Sequence, residues 1–175
     1  DGTFTELAED ANLAGEDVAT TDAQFGDFDD DGDIDLFITN SDASNKLYSN
    51  QRQGIFRDIT DESGLSSVGG STAASVGDFN NDGFIDLFVA FTETGKYKLY
   101  SNRGDGTFET DNRSNDITKN LEGVQVSDAT FLDFDNDGYL DIFVVGSADN
   151  ETKNAAFLFH NDKTGKFYLT ENILP

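Results

Sequence analysis

Three acidic stretches of this chain carry oxygen-bearing side chains at regular positions, beginning at residues 27, 78 and 133. Each stretch follows the pattern D-x-[DN]-x-D-G-x-x-D and runs into an apolar segment. Calcium takes about six to eight oxygen ligands in a flexible shell, and acidic side chains at alternate positions of a tight loop can converge on one ion. The predicted side-chain ligands are Asp27, Asp29, Asp31 and Asp35, then Asp78, Asn80, Asp82 and Asp86, then Asp133, Asp135, Asp137 and Asp141.

The sixth residue of each stretch is glycine, which tolerates the positive φ of a sharp turn. The seventh residue varies in chemistry, as expected if it contributes only its backbone carbonyl. These positions are Gly32, Gly83 and Gly138, followed by Asp33, Phe84 and Tyr139. Three copies with the same ninth aspartate argue against a merely solvated turn, so we predict three calcium sites. Because Asn80 replaces a carboxylate, the first and third sites are expected to bind more tightly than the second.

An EF-hand would require a helix after the loop and a glutamate at its twelfth position. That position is Ile38, Val89 or Val144, within short runs of β-branched and aromatic residues that predict buried strands. Nonapeptide calcium repeats have a far shorter period than the spacing seen here. The sequence therefore predicts an EF-like loop that joins two β-strands.

Two further motifs repeat every fifty or so residues alongside the loops: KLYSN at 46 and 98 with FLFHN at 157, and G-x-F at 54, 106 and 165. One unit thus contains four strands. We predict a first strand entering the loop (20–26, 72–77, 128–132) and a second leaving it (34–39, 85–91, 140–146). A third strand (45–49, 97–101, 155–160) and a fourth (54–59, 106–110, 166–170) complete each unit.

The strands that leave the loops are apolar on both faces, which requires both faces of each sheet to be covered. Sheets stacked face to face around an axis satisfy this requirement, so we predict an all-β chain of three four-stranded antiparallel β-propeller blades. The blades would occupy about 20–60, 71–110 and 127–171 of one partial domain, 1–175, with 1–8 as the last strand of a preceding blade. Helical turns are predicted at 6–13 and 61–65. Three blades do not close a ring, so the chain is expected to belong to a larger propeller or to dimerise.

These repeats resemble FG-GAP/VCBS repeats, the calcium-binding blades of integrin α-subunit propellers and of many secreted bacterial proteins. The segments 45–65 and 98–108, with "LYSN", "GDGTF" and "DIT…GL" motifs, resemble the cartilage acidic protein-like branch in particular. The resemblance implies a propeller with calcium in the loops and roles in adhesion, ligand binding or scaffolding. Two departures are Asn80 in the second loop and the loss of the "DIT…GL" tail after Phe108, which implies an altered blade junction at 112–126.

The formal net charge of −24, from 35 acidic and 11 basic residues, makes nucleic acid or an anionic membrane an unfavourable partner. The chain has no cysteine and no apolar run long enough to insert into a membrane. Weak calcium sites fill outside the cytosol, where calcium is abundant, so we expect an extracellular or cell-surface location.

Enzymatic activity is not expected. His160 is the single histidine, no nucleophile-elbow motif is present, and the paired carboxylates lie in loops where a metal would bind them. A calcium-assisted lyase would need a basic residue near the metal, and none lies within the three loops. Arg103-Gly104-Asp105 spells an adhesion tripeptide, but it coincides with the turn of the repeat itself.

We therefore predict a calcium-binding module that acts in adhesion or in protein or glycan binding. The alternatives are a structural unit that associates with its own copies through exposed blade faces, and an accessory domain of a secreted enzyme.

Overall fold

The computed structural model describes residues 2–14, 17–66, 68–113, 115–148 and 154–170. Within them the chain forms twelve β-strands and one short helix. The first four strands are β1 (Thr20–Gly26), β2 (Asp35–Asn40), β3 (Lys46–Asn50) and β4 (Phe56–Asp58). The next four are β5 (Ser71–Gly77), β6 (Asp86–Phe91), β7 (Tyr97–Asn102) and β8 (Phe108–Asp111). The helix α1 (Asn115–Asn120) precedes β9 (Val124–Leu132), β10 (Asp141–Ala148), β11 (Asn154–Asn161) and β12 (Phe167–Leu169).

The strands form three antiparallel sheets, each made of four consecutive strands in chain order. This arrangement confirms the predicted all-β fold of four-stranded propeller blades. The first two strands of every sheet are joined by one of the acidic loops, as predicted. We call the sheets blade one (β1–β4), blade two (β5–β8) and blade three (β9–β12).

The blades pack face to face, and the apolar core lies between them. The core between blades one and two contains Phe28, Phe37, Leu47, Ile59, Leu65, Val68, Ala74, Leu87, Val89, Tyr100 and Phe108. The core between blades two and three contains Ala73, Phe79, Phe88, Ala90, Leu99, Ile117, Leu121, Val124, Val126, Ala129, Ile142, Val144, Phe159 and Phe167. The apolar sequence of β6 is unbroken because both faces of this strand are buried: Leu87 and Val89 face one core, while Phe88 and Ala90 face the other.

The first strands of neighbouring blades are tied together by hydrogen bonds between side chains and backbone. The N–H of Ala74 in β5 donates to Asp22 Oδ2 in β1 at 3.0 Å. The N–H of Phe131 in β9 donates to Ser75 Oγ in β5 at 2.9 Å. These contacts place β1, β5 and β9 side by side, so the three acidic loops that follow them lie at one end of the blades.

The segments between blades differ from one another. Hydrogen-bonded turns occur in both segments where helical turns were predicted, with the N–H of Leu13 donating to the carbonyl of Ala8 and that of Ser63 to the carbonyl of Ile59. The junction after blade two is altered, since it contains α1, which was not predicted. This junction still contributes apolar side chains to a core, as the junction after blade one does, because Ile117 and Leu121 are fully buried in the second core.

The two outer sheet faces, which contact no other blade here, remain partly open. Phe25 in β1 is 61% exposed, whereas Val76, at the same position of β5, packs against the first core. Phe134 after β9 is 37% exposed, whereas its counterparts Phe28 and Phe79 are fully buried. The described residues 2–8 form no strand, and the predicted orphan strand stays a prediction because its partner strands would lie outside this chain. Residue 171, the end of the third predicted blade, lies outside the described residues.

Candidate metal centres

The first aspartate of each acidic loop holds the loop closed. In the first loop, Asp27 accepts the N–H groups of Asp31 at 3.1 Å and Gly32 at 3.0 Å. The same pair of bonds recurs in the other loops: Asp78 with Asp82 and Gly83 (3.0 and 2.9 Å), and Asp133 with Asp137 and Gly138 (both 3.0 Å). The carboxylate thus holds the backbone bent around itself, and its oxygens retain lone pairs that can accept further partners.

The ninth aspartate joins the loop to the third strand of its own blade. Asp35 is fully buried, and its two oxygens accept the N–H groups of Phe28 at 2.9 Å and Asn50 at 2.8 Å. The equivalent bonds are Asp86 with Phe79 and Asn102 (3.2 and 2.9 Å), and Asp141 with Phe134 and Asn161 (3.1 and 2.8 Å). Two neutral N–H donors do not neutralise such a buried carboxylate when it is ionised, and this arrangement favours a nearby cation.

The turn geometry agrees with the prediction and adds one position. The sixth residue has positive φ in all three loops: 86° at Gly32, 96° at Gly83 and 87° at Gly138. The fourth residue also has positive φ: 57° at Asp30, 56° at Asn81 and 60° at Asn136. Aspartate and asparagine tolerate this region better than other side chains, so their presence at the fourth position was the signal that sequence reasoning missed.

In the first loop, the carboxylate oxygens of Asp27, Asp29 and Asp35 lie within 4.8 Å of one another. Asp29 Oδ1 is buried and has no hydrogen-bond partner, although Oδ2 accepts a bond from Ser49. Burial, together with the charge of neighbouring carboxylates, raises the pKa values of Asp29 and Asp35. An unsatisfied oxygen beside other carboxylates is a poor arrangement without a cation and a suitable one for calcium, so these residues fit the ion that the sequence implies.

The second loop contains fewer carboxylates because Asn80 occupies its third position. The amide oxygen of Asn80 accepts the N–H of Asp82 at 2.9 Å, which is an intraloop role that a carboxylate would also perform. Burial and the charges of Asp82 and Asp78 raise the pKa of Asp86 to about 7, even though the backbone donates to it. The second loop thus repeats the arrangement of the first with one carboxylate fewer.

The third loop brings together two overlapping groups. The carboxylates of Asp133, Asp135 and Asp137 lie within 4.8 Å of one another, and so do the ligand atoms of Asp135, Asp141 and His160. Asp137 also forms an ion pair of 3.0 Å with Lys163, which sequence reasoning did not connect to the loop. Lys163 lies in the turn between β11 and β12, as Arg52 does between β3 and β4, where Arg52 pairs with Asp33 at 2.5 Å.

The seventh residues form hydrogen bonds inside their loops through their backbone N–H groups. The N–H groups of Asp33, Phe84 and Tyr139 donate to the fifth aspartate of their own loops at 2.9, 3.0 and 3.0 Å. The metal-ligand roles of their carbonyl groups and of the twelve side-chain ligands stay predictions.

Sequence reasoning noted the repeated "LYSN" motif but assigned no role to its asparagine. Asn102 Nδ2 donates to the carbonyl of Ile85 in its own blade at 3.0 Å and to that of Phe28 in blade one at 2.9 Å. Asn161 does the same with Leu140 at 3.0 Å and with Phe79 in blade two at 2.8 Å. These buried amides, which we call the amide latches, connect each acidic loop to the loop of the preceding blade.

Basic residues come closer to the loops than the sequence indicated. A cavity of about 640 Å³ beside the second loop is lined by Asn80, Asp82, Phe84, Arg103 and Arg113, among others. Both arginines already have acidic partners, since Arg103 pairs with Glu109 and Arg113 with Asp111. The adhesion tripeptide lies in the β7–β8 turn, as predicted, and its adhesive role stays untested.

The sequence matches the FG-GAP-like repeat family at residues 27–89 and 78–144, which together span more than half of the chain. Each match begins at the first aspartate of an acidic loop and ends in the second strand of the next blade. The described part of the chain contains no helix that is long and apolar enough to cross a membrane. The repeated loops, the blades built around them and this match together show that the chain belongs to the FG-GAP-like repeat family.

Proposed function

We propose that the chain is a calcium-binding β-propeller module of a secreted or cell-surface protein, acting in adhesion or in the binding of a protein or glycan ligand. The supporting observation is that the first and ninth aspartates of all three loops accept the same backbone N–H groups, with every bond between 2.8 and 3.2 Å. Side chains that serve only solubility need no such repetition, whereas a cation with fixed ligand distances does.

Calcium would stabilise the module by binding the folded chain alone. In its absence, each loop holds carboxylates that repel one another in a partly buried setting. One ion per loop, present at about one hundred times its dissociation constant, contributes about 2.7 kcal/mol to the free energy of unfolding. The proposed ligand-binding role is supported by the position of the three loops at one end of the blades and by family likeness. The "LYSN" and "GDGTF" segments favour the cartilage acidic protein-like branch of the family.

Calcium stoichiometry is the first test. Protein stripped with chelator and then dialysed against calcium should retain three ions per chain by elemental analysis, and its melting temperature should rise. Retention of no ion, or an unchanged melting temperature, would contradict the proposal. Glycans or candidate proteins immobilised on a surface should then capture the calcium-loaded chain and release it in chelator.

Asp29→Asn and Asp30→Asn form a matched pair, because each removes one charge from neighbouring positions without changing side-chain size. Asp29 belongs to the convergent group, whereas Asp30 does not and its backbone adopts a φ of 57° that asparagine also tolerates. We expect Asp29→Asn to weaken calcium binding at the first loop, because it copies the second loop, where Asn80 stands at the same position, and we expect Asp30→Asn to leave that affinity unchanged. Equal weakening in both would mean that overall charge, rather than a ligand set, attracts calcium.

Self-association is a second candidate, favoured by the exposed aromatic rings of the outer blade faces. Phe25 on blade one and Phe134 on blade three occupy positions that are covered at the internal blade junctions. A second copy could cover them with the same kinds of face, in a six-blade ring of two chains. Light scattering in calcium and then in chelator should give twice the chain mass of 19.0 kDa in calcium if the ring forms. A monomer in calcium would reject this candidate without affecting the calcium proposal.

A further inference from the structure

The third acidic loop differs from the others in the side chain that approaches it from the third strand. His160 occupies the position in β11 that Ser49 has in β3 and Ser101 has in β7, each directly before the repeated asparagine. In blade one, Ser49 Oγ lies 3.2 Å from Asp29 Oδ2, so this position points at the third ligand of the loop. Blade three therefore places an imidazole where blade one places a hydroxyl.

The imidazole lies against two carboxylates of the loop. His160 Nδ1 is hydrogen-bonded to Asp141 Oδ1 at 3.0 Å and lies 3.9 Å from Asp135 Oδ2. A metal bound at Nδ1 would replace that hydrogen bond. Two ligand atoms of a tetrahedral zinc ion, each about 2.0–2.2 Å from the metal, are about 3.3 Å apart. The ligand atoms of the three residues lie within 4.8 Å of one another, so side-chain movements must shorten these separations before all three atoms bind one ion.

The surrounding contacts suit this role. The ring of Phe134 meets the imidazole edge-on, with ring centroids 5.8 Å apart, which restricts the orientation of His160. The imidazole remains 36% exposed, so its other nitrogen can donate to water while Nδ1 binds a metal. Lys163 pairs with Asp137, which leaves the third loop with less free carboxylate charge than the first. Fewer available oxygens and one nitrogen shift the preference from calcium toward borderline metals.

We propose that the third loop takes a nitrogen-accepting divalent transition metal, for which Zn²⁺ is the probe, through Asp135, Asp141 and His160. The inference rests on the proposed function, in that it assumes that these loops hold divalent cations. It gives the third loop a preference for zinc over the calcium that this loop holds when zinc is absent, while the first and second loops prefer calcium.

The experiment uses wild-type protein and His160→Ser, which copies the residue of the other two blades. Protein at pH 7.5 in millimolar calcium is titrated with Zn²⁺ by calorimetry. Wild type should bind one Zn²⁺ per chain, and His160→Ser should bind it at least tenfold more weakly, about 1.4 kcal/mol. Long-range ¹H–¹⁵N spectra provide a direct readout, because a single histidine gives a single pair of nitrogen signals. One equivalent of Zn²⁺ should move the Nδ1 signal and leave Nε2 protonated.

Two results would overturn the inference: histidine signals that do not respond to Zn²⁺, or equal affinity in the two proteins. Calcium counting on the same samples separates this failure from that of the proposed function. If calcium is retained while zinc does not engage His160, only the zinc assignment is wrong. If no calcium is retained by either protein, the calcium proposal itself fails. Ser49→His offers a reciprocal variant, which should gain a zinc site in blade one.

Discussion

The amide latch at Asn102 predicts that one asparagine of the repeated motif matters far more to stability than its counterpart in blade one. The side chain of Asn102 is 3% exposed and donates to the carbonyls of Phe28 and Ile85. The side-chain oxygen Oδ1 of Asn102 accepts the N–H of Gly104 at 2.9 Å. Asn50 makes the bonds within its blade, to Ile34 and Arg52, but both lie in exposed surroundings, and among the described residues its side chain bonds to no second blade.

The expected magnitude follows from what each alanine substitution leaves behind. In Asn102→Ala, the buried carbonyl of Phe28 loses its partner, and such a loss costs about 1–3 kcal/mol. The bonds to Ile85 and Gly104 add about 1 kcal/mol each, because water reaches their surroundings in part. We therefore expect Asn102→Ala to lower the free energy of unfolding by about 3–5 kcal/mol and Asn50→Ala by about 1–2 kcal/mol.

Urea denaturation at fixed calcium concentration measures both variants, and the midpoint and the slope are compared with wild type. Asn161→Ala, which removes the second latch, should resemble Asn102→Ala. Equal losses at Asn50 and Asn102 would refute the reasoning, because the bond to Phe28 would then contribute nothing. A changed slope would indicate that blade one had separated before the rest of the chain unfolded.

Three further predictions concern the core, the acidic loops and a close backbone approach. Phe79→Ala should cost about 3–5 kcal/mol by leaving a cavity between blades two and three, whereas Phe134→Ala, at the same loop position but 37% exposed, should cost far less in urea denaturation. Burial raises the pKa of Asp86 from 3.8 to about 7. Between pH 3.8 and about 7 the metal-free folded chain therefore keeps a proton on Asp86 that the unfolded chain has released. Stability in chelator should therefore increase as the pH falls from 8 to 5, and Asp86→Asn should flatten that rise in melting temperature; an unchanged slope would exclude Asp86 as its source. Gly146→Ala places a methyl group against the backbone carbonyl of Gln125 and should cost about 1–3 kcal/mol, whereas Gly26→Ala meets only side-chain carbons, at 3.2 Å, and should be milder.

The acidic loops and the strands beside them were predictable because their causes are local. A loop aspartate accepts backbone N–H groups four and five residues away, and the ninth one accepts a group seven residues earlier. Such contacts leave a fixed spacing in the sequence, which three copies make plain. The apolar runs of β2, β6 and β10 likewise predicted burial on both faces.

The blade junctions were less predictable. Sequence reasoning treated the segment after Phe108 as having lost its apolar tail, yet Ile117 in α1 and Leu121 directly after α1 fill the same role. An insertion before them displaced the motif from its expected spacing, so periodicity alone did not reveal it. Packing depends on the position of a side chain in space, and a short helix can place a side chain in the core as well as a turn can.

The sequence by itself determined the repeat unit, the position and chemistry of the three loops, and the blade architecture. The tertiary structure decided which residues of different units meet. Asn102 and Phe28 are 74 residues apart, and His160 reaches Asp135 only because β11 lies beside β10. Contacts of this kind depend on the register and stacking of whole sheets, which no single stretch of sequence encodes.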